Sequence, residues 1–260
     1  MKAYCLASSS HGNCFILDFD IDNQSVKIMV ECGISIKDIY RKLAELNISI
    51  KDVKCCLITH AHQDHCKSVD KLSLLNMPTF ASKGTNERVY DNCRVFIPNQ
   101  PNKVLNGLYV FPFEVEHDCE GSVGFIIKTK NETVLFVNDH KKWNCNLVNF
   151  KFDYVFIECN YDHKVVYAQY YDLKKQLNDC DEKSKREIEM KLSQHERNLN
   201  SHCSLAGTIK GLQKLNLKNC KAIFLMHLSD RYANEYRMKN EIEKLFKIKT
   251  YVCKKEGGIK

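Results

Sequence analysis

The strongest constraint on this chain is a crowd of metal-type side chains at the end of an apolar run. Residues 53–58 (Val-Lys-Cys-Cys-Leu-Ile) read as a buried strand, and Thr59-His60-Ala61-His62-Gln63-Asp64-His65 follows at once. Three imidazoles and a carboxylate thus fall within six residues. So many ionisable groups beside a core cost free energy unless something compensates them, and a divalent cation does so. Neutral imidazole and carboxylate suit Zn2+, Mn2+ or Fe2+. His60 and His62 are two apart, so on extended backbone they point the same way. Asp64 and His65 then turn toward a second position as the next helix begins.

The rest of the chain supplies a frame for that cluster. Short β-like runs at 14–19, 26–30, 53–58, 95–97, 108–113, 123–129 and 133–137 are β-branched or aromatic, and most are bounded by Gly, Asn, Asp or Pro. Between them, residues 36–46 carry apolar side chains at helical spacing: Ile36, Ile39, Tyr40, Leu43 and Leu46. A further helix is expected after His65, through Val69, Leu72 and Leu75. The second half is more helical. Strands are expected at 154–157, 222–226 and 250–253, and helices at 205–215 and 234–246. The charged stretch 165–197 reads as one or two exposed amphipathic helices. The order β-rich, helix, β-rich, helix favours a layered α/β architecture. With no repeat and no Pro/Gly linker, one domain over 1–260 is expected, with a helical insertion at about 163–200.

Composition excludes several classes. Hydrophobic residues make up 44% and charged residues 27%, so disorder is not indicated. No run approaches the ~18 apolar residues of a membrane span, and the start lacks a leader-like apolar segment. The 14 cysteines form no C-x-x-C pair, and several sit inside apolar runs. They read as reduced core residues of a cytoplasmic protein. The net charge of +7 leans toward an anionic partner, and a lysine-rich proteome explains it equally well.

His-x-His-x-Asp-His at 60–65 resembles the signature of the metallo-β-lactamase superfamily. That resemblance implies an αββα four-layer sandwich and two divalent metal ions, Zn2+ or Mn2+. It also implies further ligands, each after a β-like run. His117 in Glu-Val-Glu-His-Asp-Cys, Asp139 in Phe-Val-Asn-Asp-His and His227 in Phe-Leu-Met-His-Leu-Ser match in the expected order. By the same resemblance His60, His62, His117 and Asp139 hold one ion, and Asp64, His65, Asp139 and His227 hold the other. Asp64 is also expected to orient the attacking hydroxide.

Other segments narrow the branch. Ser8-Ser9-Ser10-His11-Gly12-Asn13 is similar to the opening of the YycJ/WalJ-like group, and Glu31-Cys32-Gly33-Ile34-Ser35 resembles that group's Asp-x-Gly-Ile-Ser stretch, with Glu31 replacing the usual aspartate. Glu158-Cys159-Asn160-Tyr161-Asp162 matches a third stretch of that group. Ser201-His202-Cys203-Ser204 and His227-Leu228-Ser229-Asp230-Arg231-Tyr232 resemble elements of ribonuclease Z-like phosphodiesterases. The resemblance implies that His202 meets the scissile phosphate and protonates the leaving oxygen. Arg231, Tyr232 and Ser204 are substrate-contact candidates, and Ser204 also reads as a helix N-cap.

The expected activity is therefore a metal-dependent phosphodiesterase acting on DNA, RNA or, as in anti-Pycsar-type enzymes, a cyclic nucleotide. Lysines at 174–197 are interleaved with acids such as Asp179, Glu182, Glu187 and Glu189, which reads as a solvated face more than a nucleic-acid stripe. A thioester or lactone hydrolase and a non-catalytic metal-binding regulatory protein are the alternatives. A homodimer through the charged helical segment is compatible with the sequence.

Overall fold

Alternating side chains in the central strands feed different cores, and that alternation sets the layering. The structure, a computed structural model, describes residues 1–89 and 92–260; the side chains of Asp179, Glu182 and Asn198 lie outside that description. In the first half, strands β1 (Lys2–Ser9), β2 (Gly12–Ile21), β3 (Gln24–Val30), β4 (Val53–Leu57), β5 (Thr79–Ala81) and β6 (Arg94–Val95) alternate with helices α1 (Ile36–Glu45), α2 (Gln63–Cys66), α3 (Val69–Leu74) and α4 (Lys83–Arg88). In the second half come β7 (Asn102–Leu105), β8 (Leu108–Glu116), β9 (Val123–Lys128), β10 (Thr133–Val137), β11 (Lys142–Trp143) and β12 (Tyr154–Glu158). These are followed by α5 (His163–Asp179), α6 (Glu182–Ser201), α7 (Leu205–Gln213), β13 (Ala222–Met226), α8 (Glu235–Phe246) and β14 (Thr250–Val252).

Among the described residues the strands form a six-stranded sheet, in order β1 to β6, and an eight-stranded sheet ordered β11-β8-β9-β10-β12-β13-β14 with β7 on β8. The two sheets face each other. On β2, Phe15, Leu17 and Phe19 point into the inter-sheet core, where they meet Phe136 of β10, Phe156 of β12 and Phe224 of β13. Cys14 and Ile16 point the other way, onto Ile39 and Leu43 of α1 and Leu72 of α3. Likewise Leu135, Val137, Val155 and Ile157 pack on Leu205 and Leu212 of α7 and Met238 and Ile242 of α8. Strands buried on both faces read as near-continuous apolar runs, as these do. The expected four-layer αββα sandwich is what forms.

Strand direction then places the site. β3, β4, β5 and β6 run parallel, as do β10, β12, β13 and β14. Parallel strands deliver their C-terminal ends to one rim, which is where ligands gather in α/β sheets. The segments after β3, β4, β10, β12 and β13 all emerge there.

Several boundaries differ from expectation. The helix after His65 is two short pieces, broken at Lys67 and Ser68. The run 95–97 yields only the two-residue β6, and Ile97 is exposed. Strands β1, β5, β7 and β11 and helix α4 are additional. β1 is rich in small polar residues, and its pairing with β2 makes it a strand. α4 has no apolar period; the Ser82 hydroxyl accepts from the Thr85 N–H and starts it. No helix of the described residues is long and apolar enough to cross a membrane. All the cysteines are free, and all but Cys93, Cys145, Cys180 and Cys220 are buried. Burial pushes the Cys55 thiol up to about 12, so it stays protonated.

Candidate metal centre and cleft

The motif after β4 is held open by a close backbone approach. His62 is the N-cap of α2, but its side chain makes no capping bond and turns into the cluster instead. The Cys32 N–H donates to the His65 carbonyl at 2.8 Å, and the Gly33 N–H to the Asn13 carbonyl at 2.8 Å. A Cβ at Gly33 would lie 1.7 Å from the Asp64 carbonyl oxygen, so only glycine fits there. Glu31, Asp139 and His227 each follow a strand and take positive φ, at 66°, 36° and 54°. This left-handed turn costs a non-glycine residue about 1–3 kcal/mol and persists only where surrounding contacts hold it. It swings each side chain off its strand into the rim.

Seven side chains converge there. His60 Nε2 lies 3.1 Å from His62 Nδ1, and His117 Nε2 lies 3.3 Å from the same atom. His65 Nε2 lies 3.4 Å from Asp64 Oδ2 and 3.3 Å from Asp139 Oδ2. His227 Nε2 lies 3.7 Å from Asp64 Oδ2 and 3.6 Å from Asp139 Oδ1. In three of these rings the other nitrogen faces a fixed group. For His60 it is the Thr59 hydroxyl at 2.9 Å, which itself bonds Glu31. For His117 it is the Ser201 carbonyl at 2.9 Å, and for His65 it is Glu31 Oε1 at 3.3 Å. Such outward partners fix the ring and turn a lone pair inward, the arrangement of metal-binding histidines.

Electrostatics agree with a cation. Burial drives the His60 and His62 rings below their usual values, so both are neutral donors. Burial also opposes charge on His227, yet Asp139, Asp64 and Glu158 raise it to about 10; His65 is raised well above its usual value by Asp139 and Glu31 despite its burial. Asp64 and Asp139 are both held below the carboxylate range: burial would raise them, and the neighbouring histidines outweigh it. Protons on His65 and His227 thus balance the carboxylates where a divalent ion would otherwise do so.

The residues fit such an ion. Asp139 Oδ1 and His227 Nε2 are buried without hydrogen-bond partners. Tetrahedral ligands about 2.0–2.1 Å from zinc lie about 3.3–3.4 Å apart, close to the spacings seen here. Three groups could each hold an ion, His60, His62 and His117, then Asp64, His65, Asp139 and His227, and also Asp139, Glu158, His202 and His227, the ligand atoms of each lying within 4.8 Å of one another; the first two are the expected ligand sets. Asp139 lies between them, 4.0 Å from His60 Nε2 and 3.9 Å from His117 Nε2.

The cluster floors a cleft of about 400 Å³, walled by Ser10, Gln63, Asp118 and, from α6, Gln194, Arg197 and Ser201. His202 faces it, with Nδ1 2.6 Å from Glu158 Oε1. Glu158 is fully buried and also accepts from the His140 and Cys203 N–H groups at 2.7 and 3.1 Å. Burial would raise its carboxyl, but His202 and His227 hold it down at about 2. In return Glu158 raises His202 above its ordinary value against the effect of burial.

Three substrate-contact candidates are placed elsewhere. Tyr232 is buried against His195, ring centroids 4.6 Å apart, in a cluster with Tyr161 and Val166. Arg231 lies on the exposed surface and reaches Gln194 Oε1 at 3.4 Å. Ser204 caps α7, its hydroxyl accepting from the Gly207 N–H at 3.1 Å. None of the three lines the cleft. The cation that does is Arg197, whose Nε and Nη2 each lie 3.2 Å from Asp118 Oδ2. Arg197 sits inside a charge-rich helix, and nothing local separates it from its neighbours. Glu158 did carry a signal, a carboxylate ending an apolar strand.

The fold and the convergent His/Asp cluster define a metallo-β-lactamase-fold protein with side chains suited to metal ions. The YhfI metallo-β-lactamase-fold protein of Bacillus subtilis superposes with a TM-score of 0.68 at 13% identity, covering 99% of this chain and 97% of that one. More narrowly, residues 7–90 match a family model described as anti-Pycsar protein Apyc1. The chain is 26% identical over 146 residues to exodeoxyribonuclease YycJ of Bacillus anthracis, covering 52% of each protein. It is 41% identical over 72 residues to exodeoxyribonuclease WalJ of Streptococcus pneumoniae, covering 28% of this chain and 25% of that protein. The aligned part is therefore at most about half the length of these relatives.

Proposed function

We propose that this protein is a metal-dependent phosphodiesterase, cleaving phosphodiester bonds of nucleic acid or of cyclic nucleotides. The observation that carries it is the His202–Glu158 pair at 2.6 Å, which holds an imidazole at the edge of the His/Asp cluster, its Nδ1 4.0 Å from Asp139 Oδ2, and raises its proton affinity. A poised acid beside a cation site suits a substrate with an anionic centre and a basic leaving oxygen. The similarity to YycJ, WalJ and the Apyc1 model supports the same class of chemistry.

His60, His62, His117 and Asp139 would hold one ion, and Asp64, His65, Asp139 and His227 a second. Two bound divalent cations, Zn2+ or Mn2+, would make a water-derived nucleophile available near neutral pH and offset charge on the phosphoryl oxygens. Asp64 orients that nucleophile for attack on phosphorus. Arg197 keeps Nη1 free of Asp118 and offers it to a non-bridging phosphoryl oxygen. As the bond to phosphorus forms and the bond to the leaving oxygen breaks, His202 gives its proton to that oxygen. Glu158 holds the ring in place and stabilises its charge.

The proposal extends to the whole chain. Residues 1–260 act as one domain, and the helical insertion at about 163–200 walls the cleft. With its cysteines free of disulfides the protein works in a reducing cytoplasm. Tyr171 and Met190, exposed on α5 and α6, provide contacts for a homodimer. The test is a panel of DNA, RNA, 3′,5′-cyclic mononucleotides and a bis-aryl phosphodiester, given to metal-loaded protein. Cleavage of at least one diester is expected. Bound metal with no cleavage of any would overturn the proposal.

A further inference from the structure

A second cationic site backs onto the same carboxylate as His202. A cavity of about 160 Å³ opens between the segment after β10 and helix α7. Lys141 and Lys142 line it on one side, and Lys210 and Lys214 on the other, around Trp143, the chain's single tryptophan. Lys142 is matched by Glu116 at 3.0 Å. Among the described residues the ammonium groups of Lys141, Lys210 and Lys214 meet no carboxylate. Three like charges around one small cavity repel each other unless an anion joins them.

The floor of this cavity is built, not incidental. Gly211 leaves room for the indole, since a Cβ there would lie 2.6 Å from the ring. The buried His140 ring lies 5.2 Å from Trp143, and its Nδ1 has no hydrogen-bond partner. The His140 N–H bonds one oxygen of Glu158 at 2.7 Å, while His202 bonds the other at 2.6 Å. One buried carboxylate thus joins His140, which lines the lysine cavity, to His202, which lines the cleft.

We propose that Lys141, Lys210, Lys214 and Trp143 dock the backbone of a single-stranded nucleic acid next to the phosphate held in the cleft. This rests on the phosphodiesterase proposal and narrows its substrate to a polymer. A cyclic mononucleotide brings one phosphate and leaves the lysines without a counter-charge. A strand brings successive phosphates and unstacked bases, which fit lysines beside an aromatic ring.

The test uses the metal-loaded protein and a phosphorothioate oligothymidylate, which resists hydrolysis, with Trp143 fluorescence as the reporter. Saturable quenching is expected. The combined Lys141→Ala, Lys210→Ala and Lys214→Ala variant loses three phosphate contacts at about 0.7 each in the logarithmic salt slope, so the slope shrinks by about 2 and binding weakens about 100-fold near 0.1 M salt. Hydrolysis of a bis-aryl phosphodiester stays unchanged, because these lysines do not line the cleft. Equal affinity and equal slope for the two proteins overturn the docking site, as does an indole signal that responds only to a cyclic mononucleotide. Absence of any hydrolysis while lysine-dependent binding persists would instead overturn the phosphodiesterase proposal and leave the docking site standing.

Discussion

Glu158→Gln is the most informative single change, because it removes one charge while keeping the side chain's size. Glu158 meets His202 Nδ1 at 2.6 Å in a fully buried setting. A hydrogen bond to a charged group contributes about 1.5–3 kcal/mol, and one pKa unit corresponds to about 1.4 kcal/mol. Neutralising Glu158 should therefore lower the His202 pKa by about 1–2 units. His202 acts while protonated, so activity is lost as pH rises through its pKa, and a lower pKa moves that alkaline limb to lower pH. At a fixed mildly alkaline pH the loss approaches about 10–100-fold for a substrate whose leaving group needs a proton. A nitrophenolate leaves without one, so its release should respond far less. The assay is a pH–rate profile for an alkyl-ester and a nitrophenyl-ester diester, with metal content measured in parallel. An unmoved alkaline limb at unchanged metal content would refute the assignment of His202 as the acid and Glu158 as its partner. Equal losses on both substrates would refute it too.

Other outcomes follow from the same geometry. Asp64→Ala should abolish hydrolysis while circular dichroism stays native, because Asp64 is 22% exposed at the rim and not part of a core; retained turnover would remove it from the mechanism. Metal binding near pH 8 should release protons from His227, held at about 10, and from His65, raised well above its usual value by Asp139 and Glu31; calorimetry in buffers of differing ionisation enthalpy would show no proton release if these rings do not meet the ion. Chelation should lower the melting temperature and metal should restore it, since an ion that binds only the folded chain stabilises it; an unchanged melting temperature contradicts the centre. Gly33→Ala should cost more than about 3 kcal/mol or prevent folding, because its Cβ would overlap the Asp64 carbonyl; a denaturation midpoint near wild type would show that the loop can move.

Much of this molecule is legible in its sequence because two local signals are strong. Strands buried on both faces, such as β10 and β12, are apolar throughout, so residues 133–137 and 154–157 announce themselves. The His60–His65 run crowds ionisable groups against a strand, and His117, Asp139 and His227 follow strand-like runs of their own. Legibility fails where a partner creates the element. β1 becomes a strand by pairing with β2, and α4 by its Ser82 cap.

The sequence by itself determined the chemical inventory at the rim: which imidazoles and carboxylates stand at strand ends, in which order. Tertiary structure alone decided which of the remaining polar residues join them. Tyr232 looked available and is packed on His195, while Arg197, hidden in a charged helix, reaches the cleft. Glu158 gained its role through contacts 18 and 44 residues away in the chain, to His140 and His202. Lys141 and Lys210 meet around Trp143 only after β11 and α7 have packed. The physical reason is the range of the forces. Burial and period act over a few neighbouring residues and leave a mark in the sequence, whereas charge pairing across a folded rim depends on distances that exist only once the sheets have met.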